Sequence, residues 1–129
     1  MVSYEPGVVF PHGEVPPPLA LFEGTEQSGT PVTSEEFSNL AKIPIQVVFG
    51  DNIPSEPVPE LPADKRRAQV ISARQFTDAL NAQGGKASVQ ILPEVGLRGN
   101  THFMFSDMNN EEVANQLSAF LTRYRLDTR

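Results

Sequence analysis

The chain has no cysteine and no tryptophan. Without cysteine there are no disulfides and no thiolate metal sites, and the compartment is left open on that ground. Histidine is almost as scarce, with only His12 and His102 in 129 residues. Two histidines and no cysteine give no recognisable metal-ligand spacing, so no metal and no cofactor are expected. Basic residues are in deficit, 10 Lys and Arg against 16 Asp and Glu, for a net charge of -6. That deficit argues against nucleic acid or an anionic membrane as a partner, since both need a basic face. No apolar run is long enough to cross a bilayer, and Met1-Val2-Ser3-Tyr4-Glu5 lacks the basic and apolar parts of a signal peptide. A cytoplasmic location is expected for the chain as written. Also missing are a G-x-S-x-G elbow, a P-loop and a G-x-G-x-x-G turn.

Proline is plentiful, but only before position 63. Eleven of the 12 prolines lie at or before Pro62, and only Pro93 follows. A single domain over 1–129 is expected, with a Pro-rich, loop-rich part (1–62) and a helix-strand-helix part (63–129). Residues 2–5 read as a strand stub, and 6–32 as loop without a sustained period. A short helix over 33–41 can be capped by Thr33, with Glu36 three residues on completing a capping box. The run over 43–49, IPIQVVF, is apolar and β-branched, as in a strand buried on both faces. A helix over 64–83 puts Ile71, Phe76, Ala79 and Leu80 near one face and stops at Gly84-Gly85. Residues 87–92 read as a second strand. Asn109 or Asn110 opens the last helix, with Glu111 and Glu112 near its positive end. Its apolar stripe is Val113, Leu117, Phe120, Leu121 and Tyr124. Strands alternating with helices predict an α/β fold with a parallel sheet.

Few residues can carry chemistry. His102 sits in Gly99-Asn100-Thr101-His102, after a strand and before the last helix. A neutral imidazole there suits a general base for a serine nucleophile, in the last position of a Ser, acid, His chain order. The plainer reading is a histidine satisfied by local hydrogen bonds. Glu5 leaves a strand and is turned at once by Pro6-Gly7, as an orienting acid would be. Asp51, in Phe49-Gly50-Asp51, competes for that role, although Asp after Gly often closes a turn. His12, with Glu14 nearby, reads as a surface-loop histidine. Lys65-Arg66-Arg67 reads as a solvated patch at the start of a helix.

Four stretches resemble the C-terminal part of an α/β-hydrolase, most closely bacterial esterases that use Glu as the triad acid. Val2-Ser3-Tyr4-Glu5-Pro6-Gly7 is similar to that group's V-x-x-E-P-G, and Ile43-Pro44-Ile45-Gln46-Val47-Val48-Phe49-Gly50-Asp51 to its I-P-V-L-V-V-F-G-D. Phe76-Thr77-Asp78-Ala79-Leu80 through Lys86 resembles its helix end, and Gly99-Asn100-Thr101-His102 through Asp107-Met108-Asn109-Asn110 its histidine loop. The resemblance implies Glu5 as acid, ahead of Asp51, and His102 as base. It also implies a partial α/β-hydrolase sheet, two to three mainly parallel strands with flanking helices, with the N-terminal half of the fold absent.

No serine in the chain stands in an elbow. The expectation is a C-terminal segment of a serine esterase-like hydrolase, with acid and base but no nucleophile, inactive alone. A small ester is its substrate only if the site is completed. The alternatives are a non-catalytic interaction module and one chain of a two-chain hydrolase. Open strand edges predict a homo-oligomer or a docked N-terminal half, with the stub near Val2 or the strand at Ile45 at the interface.

Overall fold

The computed structural model describes residues 1–101, 104 and 107–126. In chain order the elements are β1 (Val2–Tyr4), β2 (Val9–Pro11), β3 (Leu19–Ala20), β4 (Glu26–Gln27), β5 (Thr30–Val32), α1 (Ser34–Leu40), β6 (Pro44–Phe49), α2 (Leu61–Ala82), β7 (Lys86–Ile91), a 3-10 turn (Leu92–Val95) and α3 (Asn110–Arg123). Strands β1, β6 and β7 form a parallel sheet in the order β1-β6-β7. The register runs Val2↔Gln46 to Tyr4↔Val48 on one side of β6 and Pro44↔Lys86 to Phe49↔Ile91 on the other. All three strands therefore end at one edge, where open parallel sheets place their ligands.

Strand β6 is central and buried on both faces, as its apolar run predicts. Ile45, Val47 and Phe49 face α1 and α2, in a core with Phe37, Ala73, Phe76 and Leu80. Val48 points the other way, onto Leu92, Met104 and Val113. Burial of each such side chain contributes about 1.5–3 kcal/mol. Phe76 ties the first core together, edge-on to Phe10 at 6.4 Å and to Phe37 at 6.1 Å. The chain is thus a mixed α/β domain with mainly parallel strands and three helices among the described residues.

The helix termini follow local chemistry. Thr33 caps α1, its hydroxyl accepting from the Glu36 N–H at 3.1 Å. Helix α2 begins three residues earlier than expected, with Pro62 in its first turn, where proline is tolerated. It stops at Gly84, whose φ of +83° suits only a residue without a side chain. The buried stripe of α2 runs through Ala68, Ser72, Ala73, Phe76, Thr77 and Leu80. Ile71 is off that stripe and exposed.

Residues 6–32 are more structured than their composition suggests. Strands β2 and β5 pair in parallel, and β3 and β4 antiparallel. Strands of two or three residues are too short to display a period. Side chains fix this segment instead: Phe10 and Leu21 are buried, and Asp64 of α2 accepts from the Phe22 N–H at 2.7 Å, as it does from the Val58 N–H of the later Pro-rich loop at 3.2 Å.

Candidate active site

Glu5 follows β1 directly, with φ of +46°, a left-handed conformation unusual for a residue with a side chain. Its N–H still donates to the Val48 carbonyl at 2.9 Å, so the β1–β6 ladder reaches the edge of the sheet. The twist turns the side chain inward, and its carboxyl end is fully buried. Among the described residues, three donor groups meet it. Oε1 accepts from the Gly50 N–H at 2.9 Å and from Arg66 Nη2 at 2.6 Å, and Oε2 accepts from Arg66 Nε at 3.1 Å. A two-pronged guanidinium–carboxylate pair of this kind is short, directional and charge-assisted.

Gly50 is the junction of the site. Its N–H holds Glu5, while its Cα lies against the loop that follows β7. A Cβ here would stand 2.8 Å from the Thr101 carbonyl oxygen, 2.9 Å from that of Asn100 and 3.2 Å from Arg66 Nη2. Only glycine allows the loop to come this close. Glu5 and the residue just before His102 therefore converge on one glycine. His102 itself lies outside the described residues.

Both flanks of that loop are tied. Asp51 donates its N–H to the Asn100 carbonyl at 2.9 Å. Its carboxylate accepts from the Gly99 N–H at 2.8 Å and the Asn52 N–H at 2.7 Å. Those two backbone donors hold the Asp51 pKa below its usual value, helped by the nearby charges of Arg98 and Arg66. Asp51 thus makes the turn bonds expected of Asp after Gly, and fastens the loop as well. Across the loop, Asp107 accepts from the Thr101 N–H at 2.8 Å, the Thr101 hydroxyl at 3.0 Å and the Asn100 amide at 3.2 Å. The Thr101 N–H contributes most to lowering the Asp107 pKa. Asn100, wholly buried, exchanges amide bonds of 2.6 and 2.9 Å with Asn109. Asn109 therefore spends its side chain on the loop and makes no side-chain cap on α3.

The Lys65-Arg66-Arg67 run is not a solvated patch. Lys65 is exposed, but Arg66 pairs with Glu5, and Arg67 Nε donates to Asp64 at 2.7 Å. The Arg67 bond, then the Phe22 N–H, draws the Asp64 pKa down to about 2. Sequence reasoning misses both pairs for different reasons. Arg66 lies 61 positions from Glu5, beyond any local pattern. Asp64 and Arg67 are three apart on one helix face, a spacing that does signal a pair. His12 is exposed in the turn after β2, its N–H donating to the Val32 carbonyl at 2.9 Å. Among the described residues no three His, Asp or Glu side chains cluster as a metal site would require, and no helix is long and apolar enough to cross a membrane.

No family model matches the chain, and no curated protein does. Among solved structures, it is similar to one described as the atomic-resolution structure of a novel bacterial esterase, at 39% identity with a TM-score of 0.57. That match covers 69% of this chain but 26% of the esterase chain, so the region shared is about a quarter of that protein. Over that shared region the chain is esterase-like in both sequence and fold.

Proposed function

We propose that the chain supplies the acid and the base of a serine-esterase-type catalytic site, as a C-terminal segment of an α/β-hydrolase. Glu5 orients the imidazole of His102. His102 takes the proton of a serine hydroxyl and returns it to the alcohol leaving group of a small ester. The observation that carries this reading is the junction at Gly50. There a buried carboxylate at the C-terminal edge of a parallel sheet meets the loop that leads into His102. The 39% identity to an esterase structure supports it. Asp51 is the weaker candidate for the acid, because its carboxylate is less buried than that of Glu5 and closes the local turn at Asn52. The nucleophile and the oxyanion donors come from outside these 129 residues, from an N-terminal half of the fold or from a second chain.

The acid is tested by titrating the C2–H proton of His102 by NMR, with His12 as the internal control. Removing a carboxylate that stabilises the imidazolium lowers the titration midpoint. Glu5→Gln should lower the His102 midpoint by about half a pH unit or more, and Asp51→Asn should leave it nearly in place. The opposite ranking would transfer the role to Asp51.

The missing nucleophile makes a second expectation. The 129-residue chain should not hydrolyse a short-chain nitrophenyl ester above background, because loss of the nucleophile alone costs on the order of a millionfold in turnover. A saturable rate that disappears in His102→Ala would show that the chain is catalytically complete.

A further inference from the structure

We infer that Arg66 is the positioning residue of this site, holding Glu5 in place and moderating its charge toward the base; the inference rests on the reading of Glu5 as the acid. The Glu5 carboxyl end has no exposure to solvent. A carboxylate in such a place is costly to bury without compensating partners. Arg66 supplies the compensating charge from α2. Its Nε and Nη2 each take a different oxygen of the carboxylate. A fork of that shape fixes the plane of the carboxylate as well as its charge, which a lysine ammonium cannot do.

The location of the pair argues for more than fold stability. Nη2 also borders Gly50, the residue that brings the Asn100 and Thr101 carbonyls to the acid. The guanidinium thus borders both Glu5 and the glycine against which the Asn100 and Thr101 carbonyls pack. A bare buried carboxylate would hold an adjacent imidazole protonated to higher pH, and a base must be neutral near pH 7 to accept a proton. Arg66 offsets that pull. Among the described residues, the other charged groups at this edge are Asp51, Arg98 and Asp107. Asp51 and Asp107 are bonded to the loop flanks, and Arg98 acts on Asp51. They are left unchanged in the test.

The test follows the His102 and His12 C2–H signals across pH in the full 129-residue chain. Arg66→Met should raise the His102 midpoint by about half a pH unit or more, leaving His12 in place. Adding Arg66→Met to Glu5→Gln should move the midpoint much less, because Arg66 acts through the carboxylate. Arg66→Lys, which keeps the charge and loses the fork, should give a smaller rise. It carries the test alone if Arg66→Met does not fold. If His102 responds to Glu5→Gln but falls or stays still in the Arg66 variants, Arg66 has no such role. The same conclusion follows if Arg66→Met shifts it equally in both backgrounds. If His102 ignores Glu5→Gln altogether, the acid assignment fails instead, and the two failures are distinct.

Discussion

At the residue scale, carboxylates do most of the joining in this chain. Glu5, Asp51 and Asp64 each bind groups distant in sequence, Asp107 binds across its own loop, and each of the four binds at least one backbone N–H. Asp64 is the clearest case for pH. Its pKa falls from 3.8 to about 2 on folding, chiefly through Arg67 and then the Phe22 N–H. A carboxylate with a depressed folded pKa contributes stability above its unfolded pKa and loses it as pH falls through the folded one. The Asp64 contribution is therefore whole above about pH 4 and fades toward pH 2. Asp51 and Asp107 are shifted in the same direction, so the ties on the loop weaken in acid as well. Urea midpoints measured from pH 6 down to pH 2.5 should fall steeply below pH 4. Asp64→Asn should start lower at pH 6, because it leaves Arg67 buried without its counter-ion, and it should show a shallower fall. An unchanged slope in Asp64→Asn would mean that other groups drive the acid transition.

At the element scale, legibility tracked length. Strand β6, helix α2, strand β7 and helix α3 each run for six residues or more. Their apolar patterning and the glycine stop of α2 are readable, and so is the parallel α/β class that follows from their order; the cap expected of Asn109 is not made, because its amide is spent on Asn100. Strands β2 to β5 are two or three residues long, and their pairing depends on partners the local sequence does not reveal. The face of α2 was the subtler miss. Ile71 looks like a core residue beside Phe76 and Leu80, but the row 68-72-76-80 takes the core through Ala68 and Ser72. Small residues sit at those points because α2 packs closely there, and hydrophobicity alone ranks Ile71 above them. At the site the same limit applied. Glu5 and the His102 loop were visible as short motifs, whereas Arg66 was hidden by sequence distance. Truncating two side chains checks the α2 face. Phe76→Ala should cost about 3–5 kcal/mol, since it empties the contact between Phe10 and Phe37. Ile71→Ala, at an exposed position, should cost about 0.5 kcal/mol or less. Equal losses in urea unfolding would place Ile71 in the core after all.

At the scale of the whole molecule, the question is what becomes of the sheet edge at β1. The central place of β6 removes one of the two strands expected at an interface, because both its edges are paired. Strand β1 pairs with β6 alone among the described residues. Its Met1 carbonyl and Glu5 N–H point toward β6, so the backbone of Val2 between them points the other way. Beside it lies a mostly apolar groove of about 180 Å³ lined by Met1, Val8, Val9, Leu40 and Phe76. An outward strand edge next to apolar surface recruits another strand. The esterase match spans about a quarter of that protein. For the 129 residues alone, the available strand is a second copy. A twofold pairing of the same edge on two chains is the commonest closed solution. Sedimentation at micromolar concentration should therefore give a species of twice the 14.1 kDa chain mass or larger. Val2→Pro removes the outward N–H and should shift the protein toward monomer. A single 14.1 kDa species of the unaltered chain would mean that the edge is not sticky enough to pair, and that the groove beside β1 stays open in the isolated chain.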